Sequence, residues 1–139
     1  MLSIKGIGPY TAAAISSICF GERKGVVDGN VYRVLSRYFG IHSPINQGSG
    51  PKEFQELADE LVQEAQHPGN YNQGIMEFGA LHCTPKKPQC ESCPLASFCH
   101  AYQHQSIDEL PVKIRKNNRT EQTIHFAVVE RGGKWAMCK

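Results

Sequence analysis

The sequence predicts a mainly α fold with one cysteine-rich loop, and three observations predict it. Apolar residues recur at helical spacing through most of the chain, and Cys83, Cys90, Cys93 and Cys99 stand at C-x6-C-x2-C-x5-C. Near residue 103 the helical pattern gives way to polar chain and then to a β-branched run. The expected organisation is a helical unit over 1–102, a linker over 103–122 and the first strands of a second domain over 123–139.

Each element has a local cause. Gly6-Ile7-Gly8-Pro9 is a glycine turn opening directly into the alanine-rich, apolar stretch 10–20. Residues 30–39 set Val31, Val34, Leu35 and Tyr38 at helical spacing before Gly40 stops the run. The clearest helix is 51–66: Pro51 suits its first position, and Phe54, Leu57, Ala58, Leu61, Val62 and Ala65 form a stripe opposite Glu53, Glu56, Asp59, Glu60 and Glu64. Asn70 followed by Gln73 reads as a capping-box variant opening a helix through Ile75, Phe78 and Leu81. Pro94 starts a short helix through Cys99 to Tyr102. The polar stretch after it, broken by Leu110-Pro111, reads as the linker. Thr123 to Val129, the Gly132-Gly133 turn and a second short apolar stretch then signal a hairpin. Because a lone hairpin is marginal in water, this segment is expected to begin a truncated second domain.

The chain is long enough for one ordinary core, and no run approaches a membrane span, so a soluble, intracellular (cytoplasmic) protein is expected. A net charge of +2 does not by itself establish a nucleic-acid partner. With five acids on one helix, however, Arg23, Lys24, Arg33, Arg37, Lys86, Lys87, Lys113, Arg115, Lys116 and Arg119 are left to form a local basic face, or an ordinary solvated surface.

The cysteines bunch at one place instead of stapling distant parts of the chain, and no signal peptide precedes them, which favours metal over disulfides. Thiolates suit iron–sulfur clusters, zinc or Cu(I). Zinc sites usually show two close pairs, whereas one C-x2-C here has wide arms on both sides; that leans to [4Fe-4S] and leaves zinc open. Cys19 is expected to be a small buried hydrophobe and Cys138 an incidental thiol.

Two further sites carry chemistry. The glycine turn brings bare N–H groups and a helix N-terminus together, an arrangement that can clamp phosphate, although an isolated G-x-G is more readily a simple inter-helix turn. Asp28, in Val26-Val27-Asp28-Gly29-Asn30-Val31, suits a helix N-cap. The same carboxylate suits a glycosidic centre, where it stabilises an oxocarbenium-like sugar or activates water.

In order, Gly6-Ile7-Gly8-Pro9-Tyr10-Thr11-Ala12, Val27-Asp28-Gly29-Asn30-Val31 with Arg33-Val34, and the four cysteines resemble the helix-hairpin-helix DNA glycosylases that carry an iron–sulfur cluster. Tyrosine at position 10 distinguishes the chain from endonuclease III relatives, which use a Schiff-base lysine there. Asp28-Gly29-Asn30 and Leu110-Pro111-Val112-Lys113 look like the A/G-specific adenine DNA glycosylases, the MutY family. The resemblance implies a partial helix-hairpin-helix DNA glycosylase fold followed by the start of a Nudix-like domain. It further implies a [4Fe-4S] cluster on Cys83, Cys90, Cys93 and Cys99, catalytic Asp28, and Tyr10 and Asn30 lining a flipped adenine. Gly6, Ile7, Gly8 and Thr11 are implied to contact double-stranded DNA carrying adenine opposite 8-oxoguanine or guanine. No residue matches the family's proton-donating glutamic acid, which lies on an early helix, and neither Glu22 nor Glu53 sits in a matching motif. The chain is accordingly expected to be a fragment with little excision of its own. The competing expectations are a noncatalytic nucleic-acid-binding module with a four-cysteine zinc site, and an endonuclease III-like lyase.

Overall fold

The computed structural model describes residues 4–114 and 130–135, and the described chain is mainly helical. It runs α1 (Pro9–Phe20), α2 (Gly29–Phe39), α3 (Gly50–Gln63), α4 (Pro68–Leu81), a 3₁₀ turn (Ala96–Phe98) and α5 (His100–Gln103). An antiparallel pair, β1 (Glu130–Arg131) and β2 (Lys134–Trp135), follows. Gly132 and Gly133 both have positive φ, 62° and 75°, as a two-residue hairpin turn requires. The expected strand over Thr123–Val129, Cys138, Arg115, Lys116 and Arg119 lie outside the described residues.

Helix α4 is the hub, packing against α1, α2 and α3. The core is formed by Val31 and Leu35 of α2 with Phe54 and Ala58 of α3. Tyr32 meets Phe54 edge-on at 5.1 Å, and Ile75 and Met76 of α4 close the cluster. Helices α1 and α2 both end on a left-handed glycine: Gly21 and Gly40 each have φ 69°. In α3, Phe54, Ala58 and Val62 are buried as the apolar stripe requires, and Ala65 falls beyond the helix end.

Four expectations change. Helix α4 begins at Pro68, with His67 as N-cap and no side-chain cap bond, so Asn70 lies in its first turn and does not cap it. Proline, which needs no N–H partner at the first helical turn, sets the start. Cys19 is exposed. Its helix is apolar on every side, and the side that meets α4 is the one where backbones come closest: a Cβ on Gly69 would lie 2.8 Å from Ile18 Cα. Small residues are needed there, so the buried residues of α1 are Ser16 and Ser17, while Ile18, Cys19 and Phe20 face outward. Arg33 and Arg37, expected on a basic surface, are 8% and 3% exposed and satisfy backbone carbonyls inside the fold. Finally, the stretch read as a linker is docked over its described part. Ser106 and Leu110 are buried, Ile45 donates to the Val112 carbonyl at 3.0 Å, and Asn46 brackets the Ile114 backbone.

Candidate functional site

Asp28 stands at the start of α2 on a segment that three side chains hold from outside. Gln55 Nε2 donates to the Gly25 carbonyl at 2.9 Å, and Asp59 Oδ1 accepts from the Gly25 N–H at 2.8 Å. From α4, Asn72 donates to the Lys24 carbonyl and accepts from the Val26 N–H at 3.1 Å, which pairs the buried extended backbone as a neighbouring strand would. Gly25 is required at this crossing, because a Cβ there would lie 2.4 Å from the Ala58 carbonyl carbon. Asp28 is thereby delivered to the α2 N-terminus, where Oδ1 accepts from the N–H groups of Asn30 and Val31, each at 2.8 Å. Its other oxygen, Oδ2, accepts from Asn30 Nδ2 at 2.9 Å. One residue is thus both N-cap and a partly exposed carboxylate of fixed orientation.

Asn30 joins this carboxylate to the cysteine loop. Its Oδ1 accepts from Arg33 Nη2 at 2.8 Å, and Arg33 also donates to the carbonyls of Gly79 and Cys83, at 2.6 and 2.7 Å. Burial lowers the Arg33 pKa below the usual guanidinium value; Cys83 opposes this, Arg37 adds to it and Asp28 opposes it. One turn along α2, Arg37 donates to the carbonyls of Thr84, Pro85, Ile107 and Leu110, and its Nη1 lies 3.5 Å from Cys83 Sγ.

Cys83, Cys90, Cys93 and Cys99 line one cavity together with Arg37, Phe78, His82 and Leu95. All four are free thiols. Burial pushes the Cys90 thiol up, and the charges of Cys83, Cys99 and Cys93 push it the same way, against Arg37. Four cysteine sulfurs around one cavity suit a cationic metal centre, which binds them as thiolates. The donor set therefore fits an iron–sulfur cluster.

The glycine turn lies at the opposite end of α1 from Phe20. Gly6 has φ 94°, Ile7 N–H donates to the Ile4 carbonyl at 3.1 Å, and Gly8 caps α1 in extended conformation with no side-chain bond. The N–H groups of Tyr10 and Thr11 have no partner among the described residues, the first backbone bond of the helix being Ala12 N–H to the Gly8 carbonyl. Tyr10 is half exposed, and its hydroxyl lies 3.8 Å from Met76 Sδ on α4. On the same helix Gly79 abuts Asn30, whose Cβ would lie 2.7 Å from a Cβ at position 79. Helix α4 thus gathers Tyr10 and Asn30 without bringing Tyr10 into hydrogen-bond contact with Asp28.

Asp28 is the N-cap its residue type suits, and the four cysteines line one cavity. Asn72, Arg33, Arg37 and Gly79, which hold them there, were not among the candidates. Arg33 and Arg37 recur at i,i+4 beside Val34 and Leu35, and that placement on a buried helix was the available signal.

Residues 83–99 match the family described as the iron-sulfur binding domain of endonuclease III. An adenine DNA glycosylase of Schizosaccharomyces pombe is 48% identical over 104 residues, covering 75% of this chain and 22% of that protein. The chain therefore spans about a fifth of that relative's length. Among solved structures, a thermostable thymine-DNA glycosylase superposes with a TM-score of 0.65 at 37% identity, over 74% of this chain and 46% of the other. An endonuclease III in non-covalent complex with DNA superposes with a TM-score of 0.58 at 25% identity, over 76% of this chain and 47% of the other.

Proposed function

Because the chain belongs to the MutY family of helix-hairpin-helix DNA glycosylases and carries the binding segment of a [4Fe-4S] cluster, we propose that it supplies the DNA-gripping and sugar-facing parts of a base-excision enzyme. The substrate is double-stranded DNA with adenine opposite 8-oxoguanine or guanine, and the reaction is hydrolysis of the adenine N-glycosidic bond. The observation that carries this reading is Asp28: a carboxylate with three hydrogen bonds, fixed at a helix N-terminus, is aimed before any positive charge forms on the sugar.

Each residue has a role in this reading. Gly6, Ile7, Gly8 and Thr11 form the turn that meets a phosphate, Ile7 closing it through its N–H bond to the Ile4 carbonyl and Thr11 offering its N–H, a contact that positions the duplex without reading its sequence. Tyr10 and Asn30 line the extruded nucleotide. Asp28 faces the sugar as the base departs, stabilises its oxocarbenium-like charge, and directs water to it. Cys83, Cys90, Cys93 and Cys99 hold the cluster, which when bound closes the loop between them by metal–thiolate bonds and so shapes the surface carrying Lys86 and Lys87. No residue here matches the family's proton-donating glutamic acid, so excision is expected only with a segment that supplies one.

The test is single-turnover base release by this chain joined to such a segment, on duplexes carrying adenine opposite 8-oxoguanine or thymine opposite guanine. Release of adenine and retention of thymine is expected. Release of thymine alone would replace the adenine reading with that of the thymine-DNA glycosylase neighbour.

A further inference from the structure

We infer that His82 donates a hydrogen bond from Nε2 to the sulfur shell of the cluster and thereby raises its reduction potential. The inference rests on the four cysteines holding that cluster. His82 immediately precedes Cys83 and lines the same cavity as all four. Its Nε2 is shielded from solvent and has no hydrogen-bond partner among the described residues.

A buried imidazole N–H without an acceptor forfeits its hydration with nothing in return, which makes such an atom a marker of something it is built to meet. The polar side chains that share that cavity are the four cysteines, Arg37, Gln89, Tyr38 and Tyr102, and none of them bonds this nitrogen among the described residues. A cluster held by the four cysteines would bring thiolate and inorganic sulfide acceptors into the same cavity. The ring is not free to look elsewhere. It stacks on Phe78 one turn earlier, with centroids 5.1 Å apart and planes 18° from parallel, while its own backbone N–H is tied to the Phe78 carbonyl at 3.0 Å.

His100, the other histidine beside a ligand, differs in this respect. Its Nδ1 is also unpartnered, but its ring stacks on His104 at 4.0 Å and it does not line the cavity. His82 therefore joins Arg37, whose Nη1 lies 3.5 Å from Cys83 Sγ, as a second donor to the sulfurs. Hydrogen bonds to cluster sulfur favour the more reduced, more negative state, so each such donor moves the potential upward.

The experiment compares the reconstituted wild-type chain with His82→Leu, which keeps apolar packing on Phe78, and His82→Gln, which keeps an N–H donor. Iron and inorganic sulfide are measured first. If the wild type lacks both, the cluster assignment itself fails. With clusters loaded equally, pulsed EPR of protein labelled with ¹⁵N-histidine should show a nitrogen coupling in the wild type that vanishes in His82→Leu. The midpoint potential should shift negative in His82→Leu and return most of the way in His82→Gln. A coupling that survives His82→Leu, or three equal potentials, would overturn the role of His82 and leave the cluster assignment standing.

Discussion

Asp28 caps α2, and in the proposed function it also faces the sugar, two tasks that substitution can separate. Asparagine is as good an N-cap as aspartate, and its Oδ1 can keep the bonds from Asn30 and Val31 N–H, whereas it carries no charge to set against a cationic sugar. Asp28→Asn should therefore keep the cap and lose only the bond from Asn30 Nδ2 to the second oxygen, a small shift of the urea midpoint, while excision by the chain joined to an acid-supplying segment falls by about 10²–10³-fold, the scale for loss of one aimed electrostatic group. Asp28→Ala should lose activity similarly and also about 0.5–2 kcal/mol of stability, the cost of a lost cap. Unchanged adenine release by Asp28→Asn with DNA still bound would remove Asp28 from the chemistry. The carboxylate was legible in the sequence because N-capping is a local property of Asp followed by Gly-Asn-Val. Arg33 and Arg37 were misread for the converse reason: a charge in sequence suggests solvent, and nothing local shows that Gly79, Cys83, Ile107 and Leu110 will bring carbonyls to a buried helix face.

Helix packing is decided by where side chains are missing. Gly79 lets α4 reach the first turn of α2, and a methyl there would meet Asn30 Cβ at 2.7 Å and its carbonyl oxygen at 3.0 Å. Gly79→Ala is expected to cost about 1–3 kcal/mol in urea unfolding, as overpacking of a tight contact does. Gly74, on the same helix with nothing within 4 Å of an added Cβ, provides the contrast. Gly74→Ala should stabilise by about 0.4–1 kcal/mol, through helix propensity and a less flexible unfolded chain. The existence of α1 to α4 was legible from apolar spacing, and so was the end of α2 at Gly40. The start of α4 was not, because Asn70 and Gln73 imitate a cap already made unnecessary by Pro68. The outward face of α1 was also hidden, since a helix with apolar residues on every side gives no periodicity by which to choose its buried side.

At the scale of the whole molecule, one buried guanidinium ties two distant stretches to α2. Arg37 gathers carbonyls from 84–85 and from 107–110, so the cysteine loop and the docked tail share an anchor. Removing the cluster by chelation under anaerobic conditions should therefore raise amide hydrogen exchange across 83–110 together, while the buried amides of α3 around Phe54 and Ala58 keep their protection. Loss of protection confined to 83–99 would show that the tail docks independently. No such coupling was legible from the sequence, where the polar composition of 103–122 signals a solvated connector and Leu110 is one apolar residue among many. The glycine turn has a consequence of its own for association with a polyanion. The amides of Tyr10 and Thr11, without a partner among the described residues, carry no formal charge, and Arg33 and Arg37 are walled off inside the fold. A grip made through such amides displaces few counterions from the duplex, so raising ionic strength weakens it less than the chain's count of basic residues would suggest.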